Sequence, residues 1–312
     1  EVDNDFGLYS VPRTGGASRR HVDGGVRFLS PAPPGALPSQ VFFLQDEELF
    51  TMTTRSTRAE NVHPLPRPAG GSVGAFELTA SGERVNFLVP DARRGFGLES
   101  AATDERHTRV ELWPEGVARG PLSSPDGARV LFVVSMGAGG ALLSAASDGT
   151  SAPQVLSAGL ESAGISALAP DLVFTPDGAR VLFVGVPSSA GPTRLYSVTI
   201  DGSEAPRDLT VALPADTEVR GVVHPSQNGR RVAFLFAPTN ASANRLGSAP
   251  LDGGGSALQI SLNAQPVQAD FALAPDGSAL VYRVASTLAR VDMYWAAADG
   301  SSAPRRLNPS LA

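Results

Sequence analysis

Short apolar runs punctuated by Gly, Pro and Asp dominate this sequence, and none repeats at the 3.6-residue spacing of a helix. The pattern is clearest from Leu172 to Leu209, LVFTPDGARVLFVGVPSSAGPTRLYSVTIDGSEAPRDL. Its alternation and breaks predict four strands, Val173–Thr175, Arg180–Gly185, Arg194–Thr199 and Pro206–Leu209. The second contains VLFV, a continuous apolar run that suits a strand buried on both faces. Pro-Asp-Gly joins the first two strands and Asp-Gly the last two. Both are hairpin turns in which Gly takes positive φ and Asp bonds its own backbone.

The unit returns at Pro121–Leu156 and Phe271–Leu307, more loosely at Val222–Ile260, and in degenerate form at Phe76–Leu112 and Phe28–Leu65. Tandem four-stranded units of about 40–50 residues are the signature of β-propeller blades, each burying its faces against its neighbours. An all-β chain follows, one propeller domain over 1–312, with full blades at 23–66, 67–113, 114–157, 158–210, 211–261 and 262–312. Outer hairpins align on Ser10, Thr51, Ser100, Ser144, Ser197, Ser248 and Trp295, spaced 41 to 53 residues apart. That makes seven outer hairpins against six inner ones. A seven-bladed ring with an incomplete N-terminal blade, 1–22, is expected, a six-bladed ring being the alternative. The unpaired edge of Leu8–His21 is then a template for strand addition by another segment.

Composition narrows the function. The 33 Gly and 26 Pro are spread along the whole chain, as a succession of turns requires. Net charge is −6, and scattered Arg without any Lys gives no electrostatic footprint for nucleic acid. The absence of Cys excludes disulfides and thiolate metal sites. No apolar run reaches the roughly 18 residues of a membrane-spanning helix, and Glu1 does not open a signal peptide.

The stretches Ser124–Gly127, Thr175–Gly178 and Ala274–Gly277, and Leu195–Tyr196 with Asp201–Gly202, resemble the WD40-like (PD40-type) repeat of TolB-like propellers. No Trp-Asp dipeptide closes a unit, which separates them from true WD40 repeats. The resemblance covers essentially the whole chain. It implies an extracytoplasmic bacterial protein, periplasmic or on the cell surface, that binds another protein; its signal peptide would lie outside this sequence.

Candidate chemistry is sparse. His21, His63, His107 and His224 fall in different repeats, so no shared metal site is expected. There is no G-x-S-x-G elbow, P-loop or H-E-x-x-H. No catalytic residue, cofactor or metal is expected, and Asp126, Asp177 and Asp276 read as turn residues. The long links, Pro90–Gly97, Ser157–Pro170, Pro187–Thr193, Thr210–Gly221 and Pro238–Asn244, fall on one face, where binding residues concentrate. The opposite, tight-turn face should be nearly smooth. At the entry to the innermost strands lie Asp171, Arg220 and Asp270, with Arg27 and Arg119 nearby, either a polar ring or interblade ion pairs. Arg93, Arg94 and Phe96 form a basic loop with an exposed aromatic, a composition favoured at interfaces. A non-catalytic exported binding or scaffolding module is therefore expected. The alternative is the accessory propeller of a prolyl-oligopeptidase-type hydrolase whose catalytic domain lies outside these residues.

Overall fold

A computed structural model describes residues 8–10, 19–22, 26–30, 40–45, 48–53, 60–62, 73–91, 95–104, 106–136, 139–160, 172–186, 191–252, 254–262, 266–287 and 290–308. Among them every regular element is a strand. The chain divides into two compact units, Glu1–Val134 with Leu143–Gln154, and Ser135–Leu142 with Val155–Ala312.

The first unit begins with a two-stranded sheet, β1 (Leu8–Ser10) and β2 (Arg19–Val22). A four-stranded antiparallel sheet follows: β3 (Val26–Ser30), β4 (Gln40–Gln45), β5 (Glu48–Thr53) and β6 (Glu60–Asn61). The next sheet has seven strands. They are β7 (Phe76–Leu78), β8 (Arg84–Asp91), β9 (Gly95–Ala102), β10 (Arg109–Ser123), β11 (Arg129–Met136), β12 (Gly139–Ala146) and β13 (Gln154–Val155).

This seven-stranded sheet departs from the repeat pattern, which predicts two separate four-stranded blades. The 15-residue β10 serves as last strand of one and first strand of the next, and Val117 pairs with both Phe96 and Val134. Register shifts flank Trp113, Val117 and Arg119, and Gly116 and Gly120 sit at φ 75° and 119°. Those bulges and positive-φ glycines bend the strand without ending it.

The second unit holds three four-stranded sheets in sequential order. The first is β14 (Val173–Phe174), β15 (Arg180–Gly185), β16 (Arg194–Thr199) and β17 (Arg207–Asp208). The next two are β18 (Thr217–Pro225), β19 (Arg231–Pro238), β20 (Arg245–Pro250) and β21 (Leu258–Gln259), and β22 (Ala272–Leu273), β23 (Ala279–Thr287), β24 (Arg290–Ala297) and β25 (Arg305–Arg306).

Burial explains the unbroken apolar runs. On β19, Val232, Phe234 and Phe236 join a core with Leu182, Val184 and Leu195 of the preceding sheet. Ala233 and Leu235 point the other way, into a core with Leu280, Tyr282 and Val284 of the following sheet. A strand with period-two alternation between two cores has no polar face to show. Each of the Val, Leu and Phe side chains contributes about 1.5–3 kcal/mol by leaving water. In the first unit, Phe42, Leu44 and Leu49 pack likewise against Val85, Phe87 and Ala101. Among the described side chains of β23, Leu280, Tyr282 and Val284 are buried, and Arg283 between them is exposed.

Candidate functional site

The inner turns are built as the repeat predicts. The Ser124 hydroxyl donates to Asp126 Oδ1 at 2.5 Å, and the Ala128 N–H donates to the same oxygen at 3.0 Å. Thr175 and Ala179 do the same for Asp177, at 2.6 and 3.1 Å. The hydroxyl bond, then the backbone bond, holds both carboxyls below the usual carboxylate range. Ser278 supplies both donors to Asp276, at 2.7 and 3.0 Å. These acids are charged turn residues whose Oδ1 already carries two bonds.

A second recurring device joins the second and third strands of a unit. Arg84, Arg129, Arg180 and Arg231 each donate Nε to a serine Oγ, on Ser100, Ser144, Ser197 and Ser248, at 2.9, 2.7, 2.8 and 3.0 Å. All four serines have no exposed surface. In the last unit Ala279 and Trp295 occupy the two positions and the bond is lost. Burial lowers the pKa of Arg84 and Arg231, while acids in neighbouring turns, Asp148 and Asp104 or Asp299 and Asp252, act to raise it.

The tight-turn ends of the sheets are not smooth, contrary to expectation. A cleft of about 660 Å³ opens beside Arg84 and Arg129, lined also by Glu83, Asp126 and Asp148. An equivalent cleft of about 690 Å³ in the second unit lies beside Arg230 and Arg231, with Asp252, Asp276 and Asp299. Both are lined by the inner and outer turns of successive repeats, the first within the seven-stranded sheet and the second across two sheets.

The residues singled out in the sequence have mixed fates. Arg220, on β18, donates to the carbonyls of Ala241 (2.5 Å) and Ser242 (3.3 Å) and pairs with Glu218 at 3.0 Å. Asp270 forms an ion pair with Arg283 within its own unit of sequence, both side chains about half exposed. Among the described residues neither makes an interblade ion pair, and the two are not bonded to each other. Arg119 is half-buried on β10, in register with Val133. Phe96 is half-buried too, not on an exposed loop. It lies in β9 opposite Pro90, and a Cβ on Gly74 would meet its Cε1 at 3.1 Å. Pairing of Pro90 with Phe96 and Asp91 with Gly95 lengthens that hairpin at the expense of the expected loop. Asp171, Arg93 and Arg94 lie outside the described residues, as does the side chain of Arg27.

Of the histidines, His107 is half-buried, with its Nδ1 3.2 Å from the Ala102 carbonyl. The exposed His224 packs perpendicular to the Phe271 ring, at 4.9 Å between centroids. Among the described residues no three His, Asp or Glu side chains gather as metal ligands, and no helix is long and apolar enough to cross a membrane.

No protein-family model matches the chain, and no curated protein matches it by sequence. Solved structures do resemble it. A eukaryotic initiation factor superposes with a TM-score of 0.58 at 11% identity, over 96% of this chain and 74% of that one. Dipeptidyl peptidase 4 of Porphyromonas gingivalis gives 0.55 at 13%, over 92% of this chain and 46% of that one. TolB of Acinetobacter baumannii gives 0.41 at 16%, over 84% and 62%. This chain thus spans less than two thirds of the TolB chain and under half of the peptidase. The first two likenesses, with the consecutive antiparallel four-stranded sheets, show a β-propeller fold. At such identities they speak for fold and not activity.

Proposed function

We propose that this chain is a non-catalytic protein-binding module that works outside the cytoplasm of a bacterium, with the loop after β19 as a recognition element. The observation that carries this reading is Arg220, which holds the carbonyls of Ala241 and Ser242 from a neighbouring strand. A loop fixed in this way loses little freedom on binding. It presents the exposed Thr239, Asn240 and Ser242 as hydroxyl and amide groups for a polar protein surface. Support for a non-catalytic role comes from the turns, where hydroxyls and carboxylates bond one another and the backbone. The extracytoplasmic setting rests on the TolB-like repeat motif. Strand addition by the partner to the β1–β2 hairpin belongs to the same proposal, since those strands make a sheet of only two.

The test is photo-crosslinking from position 240, in place of Asn240, in a bacterial envelope fraction. One protein partner should be captured, and Arg220→Ala should reduce the yield. Capture unaffected by that change would overturn the loop assignment. Turnover of ester or peptide substrates by the purified chain, abolished by one point mutation, would overturn the non-catalytic reading.

A second reading, the accessory propeller of a larger hydrolase, is favoured by the 46% share of the P. gingivalis peptidase that this chain matches. A G-x-S-x-G domain in the same gene, beyond residues 1–312, would decide for it.

A further inference from the structure

Asn228 stands where the other inner turns carry Asp126, Asp177 and Asp276. Its Oδ1 reproduces the bonds of the acid, accepting from the Ser226 hydroxyl at 2.8 Å and the Arg230 N–H at 3.0 Å. Its amide adds what a carboxylate cannot: Nδ2 donates to the Asp276 carbonyl, in the inner turn of the next sheet, at 2.6 Å. The Asn228 N–H also crosses, to the Pro275 carbonyl at 3.0 Å. Two bonds from one residue thus clasp successive sheets.

The residue that follows is Gly229, at φ 68°, whose N–H donates to the Ser226 carbonyl at 2.9 Å. Nothing lies within 4 Å of where a Cβ on Gly229 would sit. The Gly229 nitrogen therefore has neither a side chain of its own nor a close neighbour on that side to hinder attack on the amide beside it.

We infer that Asn228–Gly229 is a deamidation site that the folded turn keeps closed, and that its reaction weakens the clasp between the two sheets by removing its side-chain bond. The Gly229 nitrogen attacks Asn228 Cγ and gives up its proton. The Cγ–Nδ2 bond breaks, and ammonia leaves with that proton, closing a succinimide ring. Water then opens the ring at either carbonyl, giving aspartate or isoaspartate. One water enters, one ammonia departs, and the chain gains one negative charge.

The native turn opposes the first step in three ways. The Gly229 N–H is engaged with Ser226, Oδ1 is held by two donors, and Nδ2 is held by Asp276. Cγ reaches the nitrogen only when these bonds open together, so the native rate follows local opening of this turn. The aspartate product retains a turn of the Asp177 kind. It sets a carboxylate against the Asp276 carbonyl, two acceptors where there was a bond. The isoaspartate product also reroutes the backbone through the side chain.

The experiment incubates the full chain at mildly alkaline pH, in native buffer and in denaturing urea, and follows the Asn228 peptide by mass spectrometry. Conversion should be at least about tenfold slower in the folded chain. Ser226→Ala should raise the native rate severalfold and leave the rate in urea unchanged. Asn228→Asp, which imitates the product, should lower the urea midpoint of unfolding. Equal rates for the wild type in both conditions, which need no variant to fold, would overturn the gating. An Asn228→Asp chain as stable as the wild type would overturn the clasp.

Discussion

Nε of Arg180 donates to Oγ of Ser197 across 2.8 Å, although Ser197 has no exposed surface. The opposite side of the same guanidinium meets Glu204 at 2.7 Å, with the Glu204 side chain 60% exposed. The two contacts should differ sharply in value. Ser197→Ala leaves the guanidinium N–H without an acceptor and should cost about 1–3 kcal/mol. Glu204→Ala removes a solvated ion pair and should cost at most about 1 kcal/mol. Urea denaturation of both variants checks the ranking, and an equal loss would refute it.

Two turn glycines separate backbone strain from crowding. Gly159, at φ 80°, has nothing within 4 Å of a built Cβ, so Gly159→Ala should cost only the left-handed conformation, about 1–2 kcal/mol. At Gly149, φ 73°, the Cβ would lie 2.4 Å from Val110 Cγ2. Gly149→Ala should therefore lose a further ~1–3 kcal/mol by overpacking. Thermal melts of the pair would show whether the gap exists.

Stability should fall at both ends of the pH scale. Hydrogen bonds hold Asp126, Asp148, Asp177 and Asp201 below the ordinary carboxylate value of 3.8. The folded state binds these protons less readily, so the stability they add is complete above about pH 4 and is lost as pH drops through the depressed folded values. Tyr196 and Tyr282 are pushed up from 10.0 to about 12, first by burial and then by Asp208 or Tyr294. The unfolded chain releases those protons first, so stability should decline between about pH 10 and 12. Urea midpoints across pH would trace both limbs, and Asp177→Asn should flatten the acid one.

Arg220→Ala should free the loop 239–242 without unfolding the sheet. Amide exchange should accelerate there and stay unchanged in β19, where Phe234 and Phe236 are fully buried. Charge reversal at Arg93 and Arg94 should weaken partner binding at constant melting temperature. Faster exchange throughout β19 after the Arg220 change would mean that the residue supports the sheet and not the loop.

Much of the fold could be read in the sequence because its punctuation is local. Strands β15 and β16 lie where Pro-Asp-Gly and Asp-Gly place them, Arg180–Gly185 and Arg194–Thr199. The arginine–serine bridge could not be read so directly. It depends on cross-strand register, Leu182 opposite Ser197 and Arg180 opposite Thr199, and the sequence shows only two recurring columns. The continuity of β10 was hidden for a related reason. Its Trp113–Pro121 stretch carries two Pro and two Gly, which signal a break, whereas bulges absorb them. The candidate site was least legible. Nothing local to Arg220 announces that it reaches two carbonyls more than twenty residues ahead.

The long shared strand β10 also bears on how such a chain changes over generations. A unit such as β14–β17 begins and ends with strands of its own sheet, so duplication or loss of its coding segment moves a complete cassette. The two units joined at β10 have no such seam. A cut between Arg109 and Ser123 damages the last strand of one and the first strand of the other. Lineages that gain or lose repeats should therefore do so elsewhere, and inherit this pair as a single piece.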